Sequence, residues 1–532
     1  MRRTGASDVT SRGRYRMVAI GAAAALALAG CSTGAPTAGQ STGGGTVAPA
    51  TEAPKPDLQK FYSQTLNWQD CGAPGEQAPS QCTWVEVPID YDKPDSGTTK
   101  LWVLKVQAKG SGTPTAATRG AMLVNPGGPG GSATQYAQMA DWIVSSQVRS
   151  NFDIVGFDPR GVGKSEPIEC VTPEKVDEML AADPTPDDPA EVDALFASQR
   201  TLGEACEQKY PQVIGHISTV EAAKDMDVVR AVLGQPKLNY LGKSYGTFLG
   251  ATYAGLFPER VGRLVLDGVL APDLTNEQVS LGQAKGFESA TRAWAKSCVD
   301  SGSCPVGNTV DDAMKGLAQF FKDVDAKPLP VTGDVRVKQL TEGWASIGVA
   351  QAMYTKAYWD TLTSALTAAK GGDGTPLFSL AEEYASRSDD GEYDSNIMQV
   401  ISAINCLDRG AERLDANAMN GVVQKFTAEA PTWGPMMAYS TSACAEWPVE
   451  ATGKPDKISA DGSGPIVVVG TTRDPATPYE WSQQLADQLA EGHLITFDGD
   501  GHTAYMSSNR CVDTAVDAYL MNGTVPAEGL KC

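Results

Sequence analysis

The segment "KLNYLGKSYGTFLGATYAGLF", starting at Lys237, constrains the fold more than any other. A strand-like run, Leu238 to Leu241, passes into a helical pattern beginning at Tyr245, and no loop separates them. The turn between them is Gly242-Lys243-Ser244-Tyr245-Gly246. A Gly-x-Ser-x-Gly turn joining strand to helix without a loop is a nucleophile elbow, which lifts the Ser hydroxyl above the edge of a sheet. The same residues contain Gly-Lys-Ser, which recurs at 163–165 in "FDPRGVGKS". A phosphate-cradling loop needs a further glycine five positions before the glycine of that tripeptide. Lys237 and Asp158 hold those positions, so neither copy is a nucleotide loop. Lys164 and Ser165 then need no chemical role. Lys243 gets none either, because neighbouring side chains on such a turn diverge.

The elbow needs a sheet around it, and the flanking sequence supplies one. Short alternating runs between Leu66 and Val106 predict hairpin strands. "GAMLVNPGGPGGSA" and "NFDIVGFDPRGVGKS" are strands ending in glycine-proline loops. "STVEAAKDMDVVRAVLG" is a helix, with Ser218 and Glu221 as a capping box and Gly234 as its stop. "VGRLVLDGV" is a further strand. Strands alternating with helices predict a parallel α/β sheet. From Pro272 to Lys454 the texture becomes helical, in "NEQVSLGQAKGFESATRAWAKSC", "VDDAMKGLAQFFKDV", "WDTLTSALTAAK" and "SNIMQVISAINCLD". The α/β pattern then resumes at "GPIVVVGTTRDPATP". One sheet with a helical cap inserted accounts for this better than two separate domains. The expected layout is an N-terminal part of the sheet domain at 59–271, the cap at 272–454 and the rest of the sheet domain at 455–532.

A Ser nucleophile requires a base and an acid to orient it. The chain has three histidines. His216 precedes Ser244, whereas this elbow architecture takes its partners in the order Ser, acid, His. His493 lies inside the strand "HLITF", and His502 follows Gly499-Asp500-Gly501 in the loop after it. His502 is the expected base. Asp474, following the strand "PIVVVG", is the expected acid, with Asp267 at the end of "RLVLDG" as the rival. Asp498 and Asp500 read as turn residues, and Thr477 as a residue able to bond the Asp474 loop. For the oxyanion, two backbone donors are needed. The Tyr245 N–H should be one, and the glycine loop at Gly127 and Gly128 should give the other. No metal or cofactor is expected. There is no Cys-x-x-Cys, and no histidine stands at a zinc-like distance from a cysteine pair.

The N-terminus and the cysteines indicate compartment. Arg2, Arg3, Arg12, Arg14 and Arg16 precede a short apolar run ending Leu28-Ala29-Gly30-Cys31. A basic region before a short apolar one reads as an export signal. Its end resembles a bacterial lipobox, which implies cleavage after residue 30, lipidation of Cys31 and anchoring to the outer face of the cell membrane. Residues 31–58 are rich in Gly, Ser, Thr, Pro and Ala, as flexible tethers are. Setting Cys31 aside leaves ten of the 11 cysteines, an even number that suits disulfides in an exported chain. Pairing sequence neighbours gives Cys71–Cys82, Cys170–Cys206, Cys298–Cys304, Cys406–Cys444 and Cys511–Cys532, a hypothesis because sequence does not fix connectivity. The net charge of −21 opposes nucleic-acid partners, whose binding depends on Lys and Arg.

Taken together, "NPGGPGGSA", "FDPRGVGKS", "YLGKSYGTFLGATYAGLFPERVGRLVLDGV", "AINCLDR" and the closing run from "TTRDPATPYEW" through "GDGHTAY" to "CVDTAVDAYL" resemble the secreted bacterial tripeptidyl aminopeptidases. These are relatives of the prolyl aminopeptidases in the α/β-hydrolase superfamily. The resemblance implies an α/β-hydrolase fold and a serine exopeptidase that removes short peptides, often three residues, from free N-termini. It also implies Ser244 as nucleophile, Asp474 as acid and His502 as base. The prolyl enzymes carry His-Gly-Gly-Pro-Gly, but here Asn125-Pro126-Gly127-Gly128-Pro129-Gly130 stands in its place, which leans toward the tripeptidyl branch. An exopeptidase of this kind must hold a protonated amine, and Asp408 in "AINCLDR" is the candidate carboxylate. An esterase or lipase of the same fold is the alternative activity, and an inactive binding lipoprotein a more distant one.

Overall fold

The computed structural model describes residues 51–72, 80–112 and 119–532. The export signal at 1–30, Cys31 and the greater part of the tether at 31–58 lie outside the described residues.

Period-two alternation builds the sheet. Its strands are β1 (Gln69–Asp70), β2 (Ser80–Pro88), β3 (Thr98–Val106), β4 (Ala121–Asn125), β5 (Asp153–Phe157), β6 (Leu238–Lys243) and β7 (Val261–Asp267). After a two-stranded ribbon, β8 (Leu329–Pro330) and β9 (Gln339–Leu340), come β10 (Ile466–Arg473) and β11 (Gly492–Asp500). Among the described residues the main sheet has nine strands in the order β1-β2-β3-β5-β4-β6-β7-β10-β11. From β5 to β11 neighbouring strands run parallel, and β1 to β3 join antiparallel at one edge. The central strands are apolar on both faces, as strands covered by helices on each side must be. Leu123, Tyr240, Leu264, Leu266 and Val468 face one core, while Met122, Val124, Leu241, Val265, Val467 and Val469 face the other. Helices Thr219–Val232 and Tyr245–Leu256 cover the first face. Helices Ala133–Gln138 and Arg510–Asn522 cover the second.

Between β7 and β10 the chain is mainly helical. Helices Asn276–Asp300, Val310–Ala326, Glu342–Met353, Trp359–Lys370 and Thr375–Ala385 close around a third core that holds Trp294, Trp344, Trp433, Phe321 and Leu362. Two features depart from a cap that is one contiguous insert. Helix Ile397–Asp408 lies within the insert in sequence, but Val400, Ala403, Ile404 and Leu407 pack into the first core of the sheet. Conversely, the excursion after β5, with helices Pro173–Leu180 and Pro189–Lys209, leans on the cap. Leu180 and Ala181 pack against the cap core. The Asp177 carboxylate takes bonds from Arg336 Nε (2.8 Å), Arg387 Nε (2.9 Å) and Tyr393 Oη (2.6 Å). The roof over the strand ends is therefore made from two separate insertions. Disulfides join Cys71–Cys82, Cys170–Cys206, Cys298–Cys304, Cys406–Cys444 and Cys511–Cys532. Cys170–Cys206 closes the excursion, and Cys406–Cys444 ties helix Ile397–Asp408 to the far end of the insert.

Candidate active site

The carboxyl ends of β4, β6, β7 and β10 lie side by side, which is where open α/β sheets place their ligands. In register, Asn125 pairs with Gly242, Lys243 with Asp267, and Asp267 with Val469. Ser244 terminates β6 with φ 57° and ψ −128°. A non-glycine residue in that region is held there only by its surroundings. The Ser244 N–H donates to the Asp267 carbonyl (3.0 Å), and the Thr247 N–H returns to the Ser244 carbonyl (2.9 Å). Gly242 is obligatory, since a Cβ there would lie 2.3 Å from the Gly246 carbonyl oxygen.

His502 and Asp474 come together as the order of residues predicts. His502 Nδ1 donates to Asp474 at 2.8 Å (Oδ1) and 2.9 Å (Oδ2). That bond fixes the tautomer, leaving Nε2 as an acceptor. Nε2 is buried and has no protein partner among the described residues. Asp474 is fully buried and ringed by donors. Its Oδ1 accepts the N–H groups of Ala476 (3.0 Å) and Thr477 (2.8 Å), and its Oδ2 accepts the Thr477 hydroxyl (3.0 Å) and the Thr503 N–H (3.3 Å). Thr477 thus holds the acid by main chain and side chain together. Gly268, next to the residue that anchors Ser244, lies against the imidazole: a Cβ on it would stand 3.3 Å from His502 Cε1. The other histidines are elsewhere. His216 ends a short 3-10 helix, where its carbonyl accepts from Arg160, and His493 sits in β11 opposite Val467.

The glycine loop divides its work. The Gly127 N–H is taken by Asn125 Oδ1 (2.9 Å), which withdraws Gly127 as an oxyanion donor. What Gly127 contributes is space, because a Cβ at its φ of 105° would lie 2.7 Å from Ser244 Cβ. The N–H groups of Gly128 and Tyr245 have no acceptor among the described residues, so these two remain the candidate donors.

Three further readings change. Asp408 borders a surface pocket beside Phe248 and Lys454, but its carboxylate is already engaged. It is buried, and its two oxygens accept the Thr219 N–H (2.7 Å) and hydroxyl (2.6 Å) at the start of helix Thr219–Val232. Burial pushes its carboxyl up to about 6, against the pull of both Thr219 bonds. The Thr219 hydroxyl also meets Tyr245 Oη at 2.5 Å, so Asp408 braces the residue after the nucleophile and is withdrawn as the amine site. Asp498 and Asp500 are not simple turn residues but ion partners of Arg473, at 3.1 and 2.5 Å. Lys243, given no role from the sequence, has a structural one. It folds under the elbow, where Nζ donates to the Tyr505 carbonyl (2.7 Å) and approaches Asp267 Oδ2 (3.7 Å).

Sequence reasoning also missed a residue from the cap. The Tyr354 carbonyl accepts the His502 N–H (2.8 Å), and its ring meets the imidazole edge-on at 5.3 Å. Nothing local marks it, since the contact joins residues 148 positions apart in sequence.

Comparisons with known proteins identify the family. Residues 120–308 match the family described as alpha/beta hydrolase fold, and residues 430–532 match the family described as TAP-like protein. The chain is similar to a protein named Serine protease Hip1 from Mycobacterium tuberculosis, 34% identical over 88% of this chain and 91% of that protein. It is similar to one named Carboxylesterase B from the same species, 37% identical over 96% of this chain and 95% of that protein. It is also similar to one named Tripeptidyl aminopeptidase from Streptomyces coelicolor, 31% identical over 88% of this chain and 86% of that protein.

Proposed function

Because the chain belongs to the α/β-hydrolase family that includes these serine proteases and tripeptidyl aminopeptidases, and is a serine hydrolase, we propose that it is an exported exopeptidase releasing short peptides, in the first instance tripeptides, from free N-termini. The observation that carries the proposal is the His502–Asp474 pair, with a buried Nε2 that has no partner among the described residues, at the same end of the sheet as the constrained Ser244 elbow. Nε2 takes the Ser244 proton as Oγ attacks the substrate carbonyl. The N–H groups of Tyr245 and Gly128 stabilise the oxyanion. The imidazolium then protonates the leaving amine, and water releases the acyl enzyme by the reverse relay. Anchorage through a lipidated Cys31 belongs to the same proposal, supported by the basic and apolar run before it. No helix among the described residues is long and apolar enough to cross a membrane.

The relative named Carboxylesterase B favours one second reading, ester hydrolysis at the same triad. Turnover of a tripeptide anilide, its N-blocked form and a p-nitrophenyl ester separates the two. A peptidase of the proposed type cleaves the free anilide well and the blocked one poorly. Activity confined to the ester overturns the peptidase reading.

A further inference from the structure

We propose that Lys243 and Asp267 act as a positioning pair, holding the loop that carries the base in register with the turn that carries the nucleophile. The inference rests on Ser244 and His502 having those roles. Asp267 touches both segments. Its main-chain carbonyl accepts the Ser244 N–H (3.0 Å), and its carboxylate accepts the N–H of Ala504 (2.9 and 3.1 Å) and of Tyr505 (2.9 Å), just past His502. Lys243, directly before the nucleophile, closes the figure by donating to the Tyr505 carbonyl while lying against Asp267 Oδ2. Parallel register between β6 and β7 sets the two side chains opposite each other.

The loop needs such a clamp. Gly501, Thr503 and Met506 all have positive φ, at 110°, 65° and 65°. Two of them are not glycine, and such strained conformations persist only where the surroundings enforce them. Burial pushes the Asp267 carboxyl up and the Lys243 ammonium down, and each opposes the shift of the other. The groups facing this site are few. His502 faces Asp474 and the Thr477 hydroxyl from the loop after β10, Tyr354 from the cap, and Asp267 from β7. Asp513 on helix Arg510–Asn522 lies near Lys243 and holds the Met506 N–H (2.8 Å), and Tyr136 lies near Asp267.

The test compares K243M, D267N, the double variant K243M/D267N and K243R with the wild type. It measures kcat and KM against pH, the rate at which a fluorophosphonate labels Ser244, and thermal melting. Displacing a catalytic group by about 1 Å costs on the order of 10²-fold. Both single variants should therefore lose about 10- to 100-fold in kcat and labelling rate, with KM little changed. K243M leaves an uncompensated carboxylate near His502, so the acid limb of its pH profile moves to higher pH. D267N leaves an uncompensated cation, so its limb moves lower. The double variant restores the limb but not kcat, and K243R retains most of the wild-type rate. Removing both charges of a buried pair is often tolerated where removing one is not, which keeps a folded sample available. A folded double variant with wild-type kcat and labelling rate overturns the proposal. So do rates that fall only in proportion to the unfolded fraction. Labelling requires no peptide substrate, so a wild type that labels but cleaves no peptide refutes the peptidase reading while the variants still test the pair. A folded wild type that does not label overturns both.

Discussion

Gly-Lys-Ser occurs twice, once across the end of β6 and once in the loop that follows β5, and the two copies differ in conformation, burial and partners. At 242–244 the serine is forced to φ 57° with its N–H on Asp267, and the lysine is partly buried beneath it. At 163–165 it is Gly163 that takes the positive φ, 55°. Ser165 is buried there, donating to the Asp158 carbonyl (2.6 Å) and accepting the Trp102 N–H (2.8 Å). Lys164 is exposed, lying over the Trp102 ring at 5.7 Å. Helix Ile397–Asp408 and the residue before it brace both turns. Asn396 Oδ1 accepts the Gly163 N–H (3.2 Å), and Asp408 reaches Tyr245 through Thr219. A tripeptide acquires chemistry from the strand ends beside it. The first copy lies among β4, β7 and β10, which bring the glycine loop, Asp267 and Asp474. The second follows β5, one strand further out.

The comparison can be broken at several points. S244A should abolish turnover, a loss of about 10⁶-fold in kcat, while the protein melts normally. Appreciable residual turnover would move the nucleophile elsewhere. D474N, which permits the wrong tautomer, should cost on the order of 10⁴-fold in kcat; a loss below tenfold would return the acid to Asp267. Asp408 gives a pH signature. Its folded-state value of about 6 lies above the ordinary 3.8, so the folded chain holds a proton that the unfolded chain has released between those values. Stability therefore falls as pH rises through that window, at about 1.4 kcal/mol per unit. In D408N this fall should disappear from urea titrations at pH 4 and 6. The preference for free over blocked N-termini should stay as in the wild type, and losing it would return Asp408 to the amine site. S165A strands a buried donor and a buried acceptor, and should cost about 1–3 kcal/mol of stability with kcat per folded molecule unchanged. K164A should change stability by no more than about 0.5 kcal/mol, with no effect on rate.

How far the chain could be read varies from element to element. Helices Asn276–Asp300 and Val310–Ala326 are amphipathic and stand out by their spacing. Helix Glu342–Met353, "EGWASIGVAQAM", does not, because it is buried on nearly every side and its apolar residues show no helical period. The excursion after β5 has the opposite difficulty. Its helix Pro189–Lys209 is largely polar and buries only a few residues, among them Leu202 and Cys206, so spacing gave little to follow.

The sequence by itself determined the sheet, the elbow at Ser244 and the order of Asp474 and His502, because alternation, glycine placement and chain order are local or one-dimensional properties. Which backbone N–H is left for an oxyanion, that Asp408 supports Tyr245, and that Lys243 reaches the His502 loop were decided only in three dimensions. Each depends on which groups two distant segments bring within about 3 Å, where a hydrogen bond forms or does not. No pattern along one segment encodes the partner offered by another.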